Sequence, residues 1–367
     1  MMSRILAVCC LLAVLTLQEA TADTPLFSSH EMLEMSIPLD FKTLCRPREN
    51  PDCDYQPTVL EYIDEHGQPI TIPIEVRIRG GWRSLTKNCS APLLFVRFDK
   101  NKTVDTPFDG QSMLPLTTHC GQGLSIEAAQ NRVNPSQWEQ FLLREYLAHL
   151  LYNEITDVSI RARLVHMTYP NPHKPGRKIT NYAFFTEHFE SVAARNGFEL
   201  LSRHSFDPDK THLGAANQVA LFQYMIGNTD WSIVRERNLV LLQDSDGRQH
   251  PLPYDFDMSG LVNAHYAGPA PGLPIDKVTE RYYLGFCDPR ADWEQLAGPF
   301  LSNQDAVVSK PADIPGMTKH SISFSTRFLE KFYSTLHSNE LSTRDIIDHC
   351  LPWPPGPDGQ TTSLDKK

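Results

Sequence analysis

The chain is poor in several features that would place it in a functional class at once. It has no cationic excess. Lys and Arg number 34 against 44 Asp and Glu, a formal net charge of −10, which argues against a general nucleic-acid binder because such proteins need a basic footprint. No C-x-x-C or H-x-x-x-H pair occurs, and the 14 histidines show no ligand spacing, so a zinc site of ordinary spacing is not supported. Ser125, Ser202 and Ser259 lack the context of a nucleophile elbow, which discounts a serine hydrolase. No internal repeat is present. Beyond the amino-terminal segment, no run is long and apolar enough to span a bilayer.

What is present describes an exported, folded protein. The 367 residues, 41% of them hydrophobic, suffice for a sizeable core and are too apolar for a disordered chain. The 28 prolines favour many loops over very long helices. Arg4 precedes the apolar run Ile5 to Leu17, and Ala20-Thr21-Ala22 reads A-x-A. This pattern predicts a secretory signal over residues 1–22, cleaved after Ala22. An amino-terminal membrane anchor is the alternative, although the run is shorter than the ~20 residues a span needs. The expected location is secreted or periplasmic, with no transmembrane span in the mature chain. Of the 8 cysteines, Cys45, Cys53, Cys89, Cys120, Cys287 and Cys350 follow the signal. An even number in an exported chain suggests disulfides, with connectivity left open by sequence. Cys45–Cys53 closes a Pro-rich loop and is the local choice; Cys89–Cys120 and Cys287–Cys350 come next. Asn88-Cys89-Ser90 and Asn101-Lys102-Thr103 are glycan sequons.

Two halves of different texture follow. Residues 23–187 read as strand-rich. Ile70 to Arg79 alternates apolar and polar residues and ends at Gly80-Gly81. Pro92 to Phe98 is a second apolar run. One helix interrupts this half, with Pro135-Ser136 at its start and Trp138, Phe141, Leu142, Tyr146, Leu150 and Leu151 at helical spacing. Residues 188–351 read as helical around one hairpin, Leu239 to Leu242 and Leu252 to Phe256, joined through Asp244-Ser245-Asp246-Gly247. Residues 352–367 are rich in Pro, Gly, Ser, Thr and Lys and predict a loose tail. Strands first and helices second is an α+β, two-lobe plan.

The densest chemical signal brackets the hairpin. Gly227-Asn228-Thr229-Asp230-Trp231 precedes it, Asn238 opens its first strand, and Tyr254-Asp255-Phe256-Asp257 closes its second. The two ends of a tight hairpin meet, which brings the Asn238 amide beside the Asp255 carboxylate, with Asp230 close by. Hard cations such as Mg²⁺ or Mn²⁺ take oxygen ligands of this kind. An acid, an Asn, a hairpin and then Asp-Phe is also the order found in kinase active sites. On the preceding helix, Glu145 shares the apolar side of Phe141 and Leu142. A carboxylate there requires a cationic partner.

With these motifs the chain resembles the CotH-type atypical secreted protein kinases, and more closely an exported bacterial branch of them. The resemblance spans about residues 25–337. Its markers are Arg77-Ile78-Arg79-Gly80-Gly81, Leu143-Arg144-Glu145-Tyr146-Leu147, Ala183-Phe184-Phe185-Thr186-Glu187 and the two acidic motifs, of which the last are the specific ones. The resemblance implies an atypical protein-kinase-like fold with a strand-rich N-lobe and a helical C-lobe. It implies that Asp230 acts as catalytic acid/base and that Asn238 and Asp255 hold the metal, with Asp257 helping or replacing Asp255. Arg79, Gly80 and Gly81 correspond to the family's phosphate turn. Arg97 falls on the strand that usually carries a phosphate-binding Lys, with Glu145 as its helix partner, and Glu187 lies near the adenine hinge. Arg97 in place of Lys, Gly81 in place of Asn, and a long gap from Asp230 to Asn238 depart from the pattern. The expected activity is transfer of the ATP γ-phosphoryl group to a Ser or Thr hydroxyl of an exported protein. A pseudokinase-like scaffold without turnover and a metal-dependent hydrolase using Asp255 and Asp257 are the alternatives.

Overall fold

Alternation of inward and outward side chains builds the first half. The computed structural model describes residues 25–50, 52–121, 136–287 and 293–353. The expected signal segment and nearly all of the expected tail lie outside the described residues. Strand β3 (Pro69–Ile78) buries Ile72, Ile74, Val76 and Ile78 and turns the residues between them outward. It pairs antiparallel with β2 (Gln56–Ile63) on one side and β4 (Leu94–Phe98) on the other. Strand β5 (Met113–Thr117) follows β4, and the long hairpin β6 (Ala162–Pro170) and β7 (Lys178–Thr186) joins through a β5–β7 pairing.

A short strand, β1 (Leu33–Ser36), then changes the architecture. It pairs antiparallel with β2 and parallel with β6, at Leu33↔Val165. This closes the seven strands into a barrel in the order β1-β2-β3-β4-β5-β7-β6. The interior is filled by Leu60, Val76, Leu94, Val96, Leu114, Met167 and Phe185, with Phe108 stacked on Phe98. The kinase-like two-lobe fold expected from the resemblance is therefore not the one adopted. A kinase-type N-lobe is an open twisted sheet, whereas here pairing of β1 with both β2 and β6 abolishes the sheet edges. The chain remains α+β, with a closed barrel leading into a helical region.

Helix α1 (Gln137–Asn153) lies against the barrel and the helical region together, and every residue from Trp138 to Tyr152 is buried. Its start is a capping box. The Ser136 hydroxyl accepts from Glu139 N, and the Glu139 carboxylate accepts from Ser136 N. Leu143, Leu147 and Leu151 join one core with Leu164 and Phe184 of the barrel and with α3 (Leu213–Ile226), here preceded by the short α2 (Phe189–Arg195). A hairpin, β9 (Leu239–Gln243) and β10 (Gln249–Pro253), extends β8 (Glu199–Leu200) into a small sheet. The chain continues through α4 (Trp293–Ser302), α5 (Gln304–Ser309), α6 (Lys319–Leu336) and α7 (Asn339–Asp345). Leu329 and Phe332 of α6 complete the helical core.

Cys45–Cys53 and Cys89–Cys120 are bonded as expected. Cys350 is also disulfide-bonded, and its neighbours Leu351–Pro352 pair in parallel with Phe286–Cys287. The Cys287 side chain lies outside the described residues. Asn88 of the first sequon is buried and donates to Trp82 O at 2.9 Å, so its amide is engaged inside the fold. Asn101 is exposed.

Candidate active site

Backbone hydrogen bonds bring the two acidic motifs together. Helix α3 ends at Gly227, whose φ of +64° is the left-handed conformation that a helix stop requires. A Cβ there would approach Phe328 Cζ to 3.0 Å. The next residues are pinned, with Asn228 N donating to Gln223 O at 2.8 Å and the Asn228 side chain donating to Gln223 Oε1 at 2.9 Å. Downstream of the second motif, Gly260 N donates to Gly227 O and Leu261 N to Ile226 O, both at 2.9 Å. The loop after Asp257 is thus tied to the end of the helix that delivers Asp230.

The hairpin ends meet as the spacing predicts. Leu239 pairs with Pro253, and Tyr254 N donates to Asn238 O at 2.9 Å. Asn238 and Asp255 both adopt left-handed backbone conformations, with φ of +53° and +60°. Such φ values are uncommon outside glycine, and strain of this kind gathers at functional sites. The Asn238 amide donates to Asp230 O at 2.6 Å and to Asp230 Oδ2 at 2.9 Å. This orients the carboxylate and leaves Asn238 Oδ1 accepting no hydrogen bond among the described residues. Arg237 reaches Asp230 Oδ1 at 3.5 Å. Burial raises the Asp230 carboxyl above its ordinary value; Arg237 and Asn238 oppose that rise, and the Asp255 charge adds to it.

Arg83 is the centre of the cluster. It sits in the turn Trp82–Ser84 after the two glycines and is 8% exposed. Its guanidinium meets Glu145 Oε2 at 3.1 Å, Asp255 Oδ1 at 2.6 Å and Asp257 Oδ2 at 3.4 Å. Burial alone would depress Arg83, but Asp257, Glu145 and Asp255 together hold it well above its usual value. Burial raises Glu145 against the pull of Arg83. Asp257 is pushed up to about 8, by burial first, with Arg83 opposing and the Asp255 and Glu145 charges adding to the rise. Tyr266 donates its hydroxyl to Asp257 at 3.1 Å. Trp82, 47% exposed, packs on Tyr266 with ring centroids 5.1 Å apart.

The other expected residues divide between this cluster and places away from it. Arg79 belongs to it. Its Nε donates to Leu94 O and one terminal nitrogen donates to Thr117 Oγ1. Burial and the Arg83 cation lower it to about 10. Gly80, with φ of +95°, makes the turn that lets the chain reach Arg83. Gly81 immediately precedes that turn's short helix. Arg97 lies on the outer face of β4, pairs with Glu75 at 2.6 Å and stacks its guanidinium over Tyr55. Glu187 is buried, and its carboxylate is engaged by Arg195 at 3.0 Å and by Arg161 N at 2.8 Å. Asp257 faces inward to Arg83 and Tyr266. Sequence reasoning missed Arg83. Its only signal is position, three residues beyond Gly80, because a loop Arg has no periodicity to mark it.

The donors suit a hard cation that arrives with phosphates. Asp255, whose side chain is 39% exposed, gives one oxygen to Arg83, and its Oδ2 accepts no hydrogen bond among the described residues; the hairpin sets Asn238 next to Tyr254, and the Asp255 charge acts on Asp230. Among the described residues no group of three or more His, Cys, Asp or Glu could hold a metal by itself. Mg²⁺ characteristically binds through one or two carboxylates plus substrate phosphates, not in an all-protein cage. Among the described residues, no helix is long and apolar enough to cross a membrane.

Comparison with known proteins returns no family model, no curated protein and no solved structure that matches this chain.

Proposed function

We propose that the site formed by Asp230, Asn238, Asp255 and Arg83 transfers the γ-phosphoryl group of ATP to a Ser or Thr hydroxyl of an exported protein, the signal segment at residues 1–22 directing the chain out of the cell. The observation that carries this reading is the Asn238 amide, which holds the Asp230 carboxylate at the point where the hairpin also delivers Asp255. The reading rests on this local arrangement and on the motif resemblance to CotH-type kinases, not on a kinase fold. Arg83, held by Glu145, supplies the buried cation for phosphate oxygens that the resemblance assigned to Arg97. Asp230 accepts the proton of the attacking hydroxyl. Its elevation by burial makes it a better base than an exposed Asp. Asp255 and Asn238 would hold a Mg²⁺ or Mn²⁺ ion, which supplies charge screening of the phosphates. Fixed positioning and electrostatics of this kind account for most of the rate in phosphoryl transfer.

A second reading is favoured by Arg83 itself, which engages three acids at once. A guanidinium so committed suits a nucleotide-binding scaffold without turnover. Thermal-shift titration with ATP, Mg²⁺ or Mn²⁺ and both together, alongside radiolabelled γ-phosphoryl transfer to an acceptor-protein mixture, separates the readings. Phosphotransfer predicts stabilisation that Asp255→Ala loses, and transfer that Asp230→Asn loses while stabilisation persists. At ~100 times the dissociation constant the stabilisation is about 2.7 kcal/mol. Stabilisation without any transfer leaves the scaffold. Metal-dependent stabilisation indifferent to ATP returns the hydrolase. No response to nucleotide overturns both nucleotide readings.

A further inference from the structure

Away from the charged cluster, two polar side chains of little overall exposure turn their polar atoms to a cavity and not to a protein partner. Tyr152 on α1 is 3% exposed and Asn217 on α3 is 4% exposed. Neither the Tyr152 hydroxyl nor the Asn217 amide has a hydrogen-bond partner among the described residues. Polar groups so enclosed are nearly always paired with protein or ordered water, so each has a hydrogen bond to give to whatever occupies the cavity. Both line the same cavity, of about 520 Å³. That volume falls within the range of small-molecule sites.

The wall that carries Asn217 begins at the start of α3. His212 caps it, and its Nδ1 accepts from Ala215 N at 3.1 Å, which places the ring proton of neutral His212 on Nε2. His212 O accepts from Ala216 N. The N–H groups of Leu213 and Gly214 remain without a partner in the first turn, where a helix presents its positive end. The His250 ring stacks on His212 at 4.6 Å, fixed by Asp244 Oδ2 at 2.8 Å from its Nε2. Among the described residues no Asp, Glu, Lys or Arg lines the cavity, and Val158, Leu296 and Pro299 belong to its apolar part. Its polar equipment is uncharged or weakly basic: helix N–H groups, the Tyr152 and Thr156 hydroxyls, three side-chain amides and two imidazoles.

We infer that this cavity binds a small organic anion, with a carboxylate or phosphate group at Leu213 and Gly214, Asn217 donating to it from the next turn of α3 and Tyr152 from α1. The site is independent of the phosphotransfer reading. The 14 residues of α3, at ~1.5 Å each, separate it from the loop that carries Asp230.

The test uses the full chain labelled with ¹⁵N at Leu, Gly and Asn. Benzoate carries a carboxylate on an apolar ring, benzamide is its neutral counterpart, and inorganic phosphate is the bare anion. Expected is a saturable shift of the Leu213 and Gly214 amides and the Asn217 side-chain amide with benzoate or phosphate, at concentrations up to about 10 mM, the range of weak fragments. Benzoate alone assigns a carboxylate with an apolar body, and phosphate alone assigns a phosphate headgroup. Asn217→Asp places a like charge in the wall and should weaken binding at least about tenfold. Should that variant not fold, Tyr152→Phe reads the same contact. No saturable shift with either anion means that water alone fills the cavity and overturns the inference. Benzamide binding as tightly as benzoate, or unchanged affinity in the variant, overturns it equally.

Discussion

Arg83→Met is the substitution that most directly probes the charged cluster. It keeps an apolar stem of similar length and removes the cation. Glu145 and Asp257, 4% and 7% exposed, are then left buried without their ion-pair partner, with Arg79 acting only at longer range. Breaking a buried pair by deleting one partner costs ~3–5 kcal/mol. Protonation caps that cost. Glu145 can take a proton, and the distance from its ordinary value of 4.5 to pH 7, at ~1.4 kcal/mol per unit, limits the loss at pH 7 to ~3.5 kcal/mol. Asp257, already pushed up to about 8 in the native cluster, is largely protonated at that pH and adds little. The sign follows from linkage. A carboxyl raised above its unfolded value gives a fold whose stability is full below that unfolded value and declines as pH rises through the folded one. The deficit of Arg83→Met is therefore largest near pH 7 and falls below ~1 kcal/mol near pH 5.

Urea unfolding followed by the fluorescence of the buried Trp138 and Trp231 reads both values. The double variant Arg83→Met/Glu145→Gln should recover about 2 kcal/mol at pH 7, because the uncompensated charge is gone. An equal loss at pH 5 and pH 7, or no recovery in the double variant, would refute the electrostatic account and leave lost packing as the cause.

Asp257→Asn keeps the shape of the buried acid and removes its titration. Wild-type stability should decline between about pH 4 and pH 8, with a one-proton slope of at most ~1.4 kcal/mol per unit, and the variant's profile should flatten over that window; an unchanged profile places the titration elsewhere. Gly260→Ala should destabilise by ~1–3 kcal/mol, since a Cβ there would lie 2.5 Å from Val278 O, and thermal melts check it. Arg97→Ala should leave any nucleotide-dependent stabilisation intact and cost less than ~1 kcal/mol, as expected for an exposed pair. Loss of nucleotide response in that variant would return the phosphate cation to β4.

Local patterns were legible and long-range closures were not. The hairpin, the meeting of Asn238 with Asp255 and the neighbourhood of Asp230 follow from turn residues and spacing. The burial of Glu145 follows from its place beside Phe141 and Leu142 on one helix. Its partner does not, because Arg83 reaches it through a loop 62 residues earlier in the chain. The outward placement of Arg97 was readable from sequence. Leu94, Val96 and Phe98 point inward on β4, so period-two alternation already turned Arg97 outward. The barrel was harder. Its closure depends on the four residues of β1, whose parallel partners lie more than a hundred positions away at Val165 to Thr168, and no local propensity encodes such a pairing. The left-handed backbone of Asn238 and Asp255 was equally hidden, because Asn and Asp enter that region more often than other residues but only at a minority of their positions.

The charge balance of the cluster decides which ligand it favours. Arg79 and Arg83 stand against Glu145, Asp255 and the Asp257 carboxyl that burial raises, and Arg237 answers Asp230. A free divalent cation would meet little net negative charge with two guanidinium groups close by, and Asp255 offers it one oxygen that Arg83 does not take. That is a poor site for a metal alone. A nucleotide bound to its metal carries net negative charge outward on the phosphates, which the two guanidinium groups attract, while the cation reaches Asp255 and Asn238. Stabilisation should therefore be small with Mg²⁺ or Mn²⁺ alone, larger with ATP alone, and largest with both. If metal alone stabilises the chain as strongly as metal with ATP, the arginines are not phosphate ligands and the cluster is a cation site of a different kind.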